Sequence, residues 1–527
     1  MRHDLRPYQQ EAVDAVFTAW QDMKRVAIQM ATGCGKTTVI AAILERLAQN
    51  DQRSVFCAHT EELVRQGASE ITDYTGLPVA IEKADETAHT ASSMITMASI
   101  QSIGQRRRME RFSPTHYDVV GVDEGHRCIA PTYRRVFDYF AESKGLCCSA
   151  TLQRSDKRAL SRVIDAVAYE YSLSQAIKDG YLCPIHAQQI PVEVDLSELR
   201  MRHGDWADEA VDEAISPHLV ALADLVVEYW EQRSGIVFLP LVATSQAFAE
   251  LLRERGIKAE AVWGTDPDRA AKIQGLKDGS ISILTNANLL VEGFNCPHVS
   301  LICPFVPTRS RPRYIQQIGR GTRIYDGKEN LLILDPLWLA TKHKACVPAS
   351  LLGETEEIVA MAEGQRRMGG RSDVMASVEQ AADSVRQQRE QRIIEELEAN
   401  KYKAKRTIDP ITFGAIIHDE KIVTHEDVFD WEKQPATTEQ KDKLYKAFDV
   451  KKMTQGEAEK LIDAIEKRQV RGLATARQVN QLHKLGFDNP DKYTFKEASR
   501  IFDVAKNLSW MPYRTRNAAK KKGLVKH

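Results

Sequence analysis

The feature that most restricts this chain is an alternation. Nine short apolar runs, at 26–29, 54–58, 94–97, 118–122, 145–149, 236–239, 281–285, 299–303 and 331–334, are rich in Val, Ile, Leu and Cys, and helical patterns separate most of them. Near-continuous apolar runs of this length suit strands buried on both faces, and helical spacers suit crossover connections, so the pattern predicts parallel sheets covered by helices. Two such units fit better than one, because Ile190 to Trp230 reads as mostly helical and polar. The break falls near Tyr181-Leu182-Cys183-Pro184. The fold class expected is α/β, two tandem parallel-sheet lobes followed by an α-helical C-terminal region.

The segment "MATGCGKT", residues 30–37, follows the first apolar run and precedes a helical one, Val39 to Leu47. It lacks the leading glycine of the strict phosphate-loop pattern, having Met30 there, but keeps Gly35-Lys36-Thr37. Gly33 and Gly35 let backbone amides of Thr32, Cys34 and Thr38 close around phosphates at a helix N-terminus. Lys36 is suited to reach the β- and γ-phosphates, and Thr37 to ligate Mg2+. A second element, "VVGVDEGH" at 119–126, ends an apolar run in two carboxylates. The C-terminal edge of a parallel sheet is where ligands sit in open α/β folds. Asp123 suits Mg2+ through water, and Glu124 suits a base that orients the attacking water. An acidic surface turn is the plain alternative.

Asp123-Glu124-Gly125-His126 resembles the DExH box of superfamily 2 helicases, and further segments follow in that family's order. "LRPYQ" (5–9) resembles the adenine-reading segment, with Gln9 as the amide. "CAHTEELVRQ" (57–66) and "TMASIQS" (96–102) resemble the segments that touch the nucleic-acid backbone, and "SAT" (149–151) the one that links hydrolysis to strand binding. "LLVEGFN" (289–295) and "QQIGRGTR" (316–323) resemble the motifs of the second lobe. The resemblance covers roughly residues 1–340 and implies two RecA-like lobes, with ATP and Mg2+ between them and nucleic acid across both. It implies catalytic roles for Lys36, Asp123, Glu124, His126, Gln316, Arg320 and Arg323, with Arg323 as first choice of arginine finger. Gly293 and Asn295 are expected nucleotide contacts, although Asn295 stands where the family has Asp. Nucleic-acid contacts are expected at His59, Thr60, Gln66, Thr96, Gln101, Ser102, Arg106, Thr285 and Arg311. The motif style is most similar to type III restriction motors, RadD-like repair helicases and phage helicases. That branch favours DNA over RNA, acting by unwinding or by double-strand translocation, remodelling or annealing. A binding scaffold with a relic motor is the remaining alternative.

Net charge is −1, so any nucleic-acid contact must rest on local patches: Arg106 to Arg108, Arg309/Arg311/Arg313, and the tail from Arg514 to Lys526. The nine cysteines include no Cys-x-x-Cys pair, and no run approaches the ~18 apolar residues of a membrane span. With a polar Met1 to Gln10, this suits a reducing cytoplasm, and the family resemblance implies a monomer in a bacterial or phage-infected cell.

Residues 355–404 are rich in Glu, Arg, Gln and Ala, with Met375, Val378, Ala382 and Val385 at heptad-like spacing that fails at Arg389. Beyond them lies a repeat. "ATTEQKDKLYKAF" (436–448) returns as "ATARQVNQLHKLG" (474–486), and "TQGEAEKLID" (454–463) as "TFKEASRIFD" (494–503). Each copy reads as helix, turn, helix with Thr as N-cap, forming a compact module for packing or for binding nucleic acid or a protein partner. The organisation expected is lobe 1 at 1–180, lobe 2 at 181–345, a charged helical extension at 346–430, the repeat module at 431–510 and a basic tail at 511–527.

Overall fold

The computed structural model describes residues 4–125, 128, 130–150, 163–202, 205–287, 296–339, 345–353, 355–366, 370–399, 408–423, 425 and 432–525. They form two compact units, one holding both sheets as far as Val385 and the other running from Arg386 onward.

The first sheet contains β1 (Arg25–Met30), β2 (Ser54–Ala58), β3 (Val79–Glu82), β4 (Ile95–Ser99), β5 (Val119–Val122), β6 (Lys144–Ser149) and β7 (Ala166–Tyr171). They pair in the order β3-β4-β2-β5-β6-β1-β7, parallel throughout. Every residue of β2, β4 and β5 is buried, as strands covered on both faces require. Helices α1 (Pro7–Ala19), α2 (Lys36–Gln49) and α3 (Glu61–Thr75) supply Val13, Val16, Ile40, Ile43, Val64 and Ile71 to the core.

The second sheet contains β8 (Ile185–Asp195), β11 (Gly235–Phe238), β12 (Ala259–Val262), β13 (Ile283–Asn286), β14 (Leu301–Pro304), β15 (Leu331–Leu339) and β16 (Ser372–Asp373). A two-stranded ribbon of β9 (Met201–Arg202) and β10 (Asp205–Trp206) stands apart. The order is β12-β13-β11-β14-β15-β8-β16, parallel except for the terminal β16. All nine apolar runs are strands, and the two-lobe α/β class stands.

The differences lie where the apolar signal is thin. Residues 190–195 are strand, not helix: Ile190, Val192 and Val194 are buried while Pro191, Glu193 and Asp195 are exposed. This period of two marks a strand solvated on one face. β3 and β12 are four residues long and carry Ala and Glu, which favour strands weakly. Helix Val374–Ala399 buries Val374, Val378, Ala381 and Val385 against the core of the first unit. Those positions face a globular core, which is why the heptad spacing ends.

The second unit holds the repeat. Helices Thr438–Leu444, Gln455–Val470, Ala476–Lys484 and Phe495–Lys506 begin at Thr437, Thr454, Thr475 and Thr494. Each threonine accepts the backbone N–H three residues on, from Gln440, Glu457, Gln478 and Glu497, whose side chains return the bond. The copies share a backbone bond as well: Ala436 N donates to Met453 O at 2.9 Å, and Ala474 N to Tyr493 O at 2.8 Å. The stretch after residue 511 is a further helix, Pro512–Lys521, with Thr515 and Ala519 buried. No helix among the described residues is long and apolar enough to cross a membrane.

Candidate functional site

The loop after β1 turns into α2 through two residues that only glycine fills cheaply: Gly33 at φ +93° and Gly35, the N-cap, at φ +73°. Lys36 therefore opens the helix at the C-terminal edge of the sheet. Asp123 and Glu124 follow β5, two strands away with β6 between. The Lys36 ammonium lies 2.9 Å from Asp123 Oδ1 and 3.5 Å from Glu124 Oε1. Burial pulls the Lys36 pKa down, but the two carboxylates outweigh it and hold the ammonium well above its ordinary value. Glu124 sits at φ +54°, a left-handed conformation that costs an L-residue energy and that clusters at functional sites.

Gln9 and Tyr8, at the start of α1, close the loop from the side. Gln9 Nε2 and the Tyr8 hydroxyl both donate to the Cys34 carbonyl, at 3.1 and 3.0 Å, and Gln9 Oε1 accepts the Arg6 N–H at 3.0 Å. Both ends of the Gln9 amide are thus held by protein groups. Tyr8 stacks on Tyr171 with centroids 4.2 Å apart. Burial pushes the Cys34 thiol up to about 12, so Cys34 offers the loop its backbone rather than a reactive sulfur. Thr32, Thr37 and Thr38 are half-buried along the same loop.

The second lobe meets this loop through residues 316–323. Helix Arg311–Ile318 carries Gln316, half-buried, and the 3-10 turn Gly319–Gly321 carries Arg320. A Cβ placed on Gly319 would lie 2.7 Å from Thr32 Cβ, and one on Gly33 would lie 3.3 Å from Arg323 Cγ and 3.0 Å from Leu182 Cδ2. Burial lowers the Arg323 pKa, while Glu70 of α3 and Cys296 oppose it. Lys36, both carboxylates, Thr32, Gly319 and Arg323 therefore converge around one cleft. Its phosphate-loop wall and its arginine wall come from different lobes.

Sequence reading missed the parts that hold the second wall. Leu182 pairs with Arg323 as an antiparallel bridge, and Cys183 N donates to Thr322 O at 2.8 Å. Lys328 Nζ donates to the carbonyls of Pro297, Gly321 and Arg323 at 3.1, 2.6 and 2.8 Å. A lone lysine after a glycine turn carries no sequence signal for such a role. His126, Gly293 and Asn295 lie outside the described residues.

As for a metal, the described residues contain no group of three or more His, Cys, Asp and Glu able to hold an ion. Asp123 and Glu124 are hard oxygen donors beside the phosphate loop. That donor set fits Mg2+, which takes one or two carboxylates and completes its shell with phosphates and water. Thr37 and Asp123 are the side chains suited to hold it, and it would supply charge neutralisation at the phosphates.

The expected nucleic-acid contacts divide. His59 and Gln101, after β2 and β4, meet at 3.1 Å between His59 Nδ1 and Gln101 Nε2. Thr60 caps α3 by accepting the Leu63 N–H, and Gln66 donates to Glu70 at 2.7 Å. Thr96, Ser102 and Thr285 are corrected: all three are buried. Thr96 accepts from Tyr117, Ser102 from the Ala84 N–H, and Thr285 exchanges hydrogen bonds with Ser245. Thr96 and Thr285 lie in strands and Ser102 in the short helix Ile100–Ile103, and each hydroxyl is already bonded inside its lobe rather than open to a phosphate. The arginine patches divide likewise. Arg106 is exposed and pairs with Glu110 on its own helix, whereas Arg108 serves the buried Glu82 at 2.7 Å. Arg311 is half-buried and donates to Leu351 O, and Arg313 pairs with Asp205 and Asp208.

Two RecA-like lobes with a phosphate loop on one and an arginine turn on the other define the class of ATP-cleft motor proteins. The sequence comparisons narrow this. Residues 2–154 match the family described as type III restriction enzyme, res subunit, and residues 218–325 match the helicase conserved C-terminal domain. These two stretches match the two lobes of superfamily 2 helicase proteins, a group that also holds restriction-enzyme and phage proteins.

IRC3 of Saccharomyces cerevisiae, provisionally named an ATP-dependent helicase, is 29% identical over 63% of this chain and 51% of its own length. A 51.5 kDa protein of a Lactococcus phage is 26% identical over 58% and 64%. The endonuclease subunit of the Escherichia coli type I restriction enzyme EcoAI is 25% identical over 63% and 46%. The chain thus spans about half of the length of the curated relatives it matches. Among solved structures, a fragment of an HsdR-type subunit from Vibrio vulnificus has a TM-score of 0.51 at 21% identity, covering 66% of this chain and 71% of that one. The type ISP restriction-modification enzyme LlaBIII bound to DNA has a TM-score of 0.52 at 15% identity, covering 98% and 41%. Both are likenesses of fold.

Proposed function

We propose that this chain is an ATP-driven DNA helicase or translocase whose hydrolysis is switched on by closure of the second lobe over the phosphate loop. The observation that carries the reading is the contact of Gly319 with Thr32 beside Arg323 and Gly33. It brings the arginine turn to the loop that opens on Lys36, with Asp123 and Glu124 opposite. Phosphoryl transfer needs positive charge at the γ-phosphate and an oriented water. Lys36, Arg320 and Arg323 supply the first, and Glu124 supplies the second by accepting a proton from water or orienting it. Gln316 is placed to help position the γ-phosphate. Thr37 and Asp123 would hold Mg2+, which would supply neutralisation of the phosphate charge. Release of phosphate removes the charge that draws the arginines across, so opening follows turnover and moves one lobe along the track.

The restriction-enzyme and phage relatives favour DNA as that track. Contacts through α3 and the His59–Gln101 pair would be mainly to phosphates, hence independent of sequence and sensitive to salt. The test is ATP hydrolysis titrated with single-stranded DNA, duplex DNA and RNA, with Glu124→Gln as control. Stimulation by DNA that is lost in the control supports the motor, and strand displacement then separates unwinding from translocation. Stimulation by RNA alone, or hydrolysis indifferent to every polymer, refutes the DNA reading.

A further inference from the structure

The second unit carries a surface that the motor does not use. Helix Phe495–Lys506 ends in a turn where Ser509 and Trp510 take φ +52° and +59°. Three other turns of the same unit place glycine at such angles: Gly472, Gly486 and Gly523 at +65°, +75° and +64°. An L-residue there is strained by roughly 1–2 kcal/mol, yet the position holds a tryptophan. The residue is 39% exposed, and its ring tilts against Phe502. Met511 and Tyr513 follow, 48% and 79% exposed.

The charge around these rings is of one sign. Between Val504 and Val525 there is no Asp or Glu, while Lys506, Arg514, Arg516, Lys520, Lys521 and Lys522 are all present, in a chain of net charge −1. Helix Pro512–Lys521 turns Thr515 and Ala519 inward, so Tyr513, Arg514, Asn517, Lys520 and Lys521 share its open side. Two of the cations are engaged elsewhere, Arg516 with Asp488 at 3.9 Å and Lys506 with Asp503 at 3.3 Å.

We propose that Trp510, Tyr513, Arg514, Lys520 and Lys521 form an anchor for single-stranded nucleic acid, separate from the motor lobes. Cations along an exposed helix follow a phosphate backbone, and exposed rings stack on unpaired bases, which a duplex does not offer. The occupant is a polyanion with π faces, and its sequence does not matter. The anchor would hold a strand while the lobes release it between steps.

The experiment uses the full-length protein and fluorescein-labelled oligo-dT, read by anisotropy without nucleotide. Trp510→Ala/Tyr513→Ala is expected to weaken binding at least about 10-fold. Arg514→Gln/Lys520→Gln/Lys521→Gln is expected to flatten the dependence of log affinity on log salt by about 2, at roughly 0.7 per phosphate contact on a single strand. Trp510→Phe keeps the ring against Phe502 and should retain binding, and Tyr513→Ala alone changes only an exposed side chain, so loss there cannot be unfolding. DNA-stimulated hydrolysis at saturating DNA should keep its maximum in every variant while the DNA concentration needed rises. Because the binding assay needs no turnover, it reads the anchor even if the motor reading fails. Unchanged oligo-dT affinity in both multiple variants overturns the proposal. So does equally tight binding of polyglutamate of matched charge, which would make the occupant an acidic protein.

Discussion

Lys328 Nζ donates to the Gly321 carbonyl at 2.6 Å, and the same ammonium reaches the carbonyls of Arg323 and Pro297. One side chain thus ties the backbone just after Arg320 and just after Arg323. Burial pulls the Lys328 pKa down to about 8, with Arg323 adding to the effect and the Cys183 and Cys296 thiols opposing it. A neutral amine has two N–H donors for three carbonyls, so the turn loosens as pH rises through about 8. Turnover of ATP is expected to fall on this alkaline limb, and Lys328→Arg, charged at every accessible pH, to remove the limb. Global stability should not fall with it. The folded pKa lies below the ordinary lysine value of 10.5, so between the two the unfolded chain binds more protons and stability from this group rises with pH. A pH–rate profile beside thermal melts separates the two, and an alkaline limb that persists in Lys328→Arg refutes the assignment.

Gly319 has an ordinary helical φ of −58°, so alanine is allowed locally. Its new methyl would nevertheless meet Thr32 Cβ at 2.7 Å, across the cleft. Gly319→Ala therefore tests closure rather than the fold of the turn. Overpacking of this kind costs about 1–3 kcal/mol, so hydrolysis is expected to fall about 10-fold or more while the first lobe binds nucleotide as before. Turnover that survives intact would mean that the contact is not part of the active arrangement.

What the sequence revealed and what it hid divide along physical lines. The phosphate loop, the Asp123-Glu124 edge and residues 316–323 were legible because each packs several demanding residue types into one short segment. The capping boxes at Thr454 and Thr494 were legible for the same reason. Strand β8 was not, because its signal is an alternation of Ile190, Val192 and Val194 with polar residues, easily taken for a helix. Thr96 and Thr285 looked like surface contacts only because sequence order does not say which way a strand residue points. Lys328, Leu182 and Cys183 were invisible, since their partners are backbone carbonyls and amides far along the chain.

Lys36 is the counter-charge for both carboxylates beside the loop. Lys36→Ala is expected to cut hydrolysis by at least about 10²–10³, the cost typical of one lost electrostatic donor. Nucleotide-free DNA binding should be unchanged. Single-turnover hydrolysis and anisotropy check the two parts, and retained hydrolysis would remove Lys36 from the site.

Arg106 and Arg108 lie on one short helix but differ in what they touch. The Glu82 side chain is fully buried, with Oε1 on Arg108 at 2.7 Å and Oε2 accepting the Ala88 N–H at 2.8 Å. Arg108→Ala leaves that carboxylate buried and uncompensated, which costs about 3–5 kcal/mol. Arg106 is 86% exposed at its side chain and pairs only along its own helix. Arg106→Ala should leave stability essentially unchanged, and its effect, if it touches nucleic acid, should appear as a lower salt dependence of DNA binding. Denaturant melts and salt titrations of DNA affinity distinguish the pair. Equal stability of the two variants would mean that Arg108 is a surface cation like its neighbour.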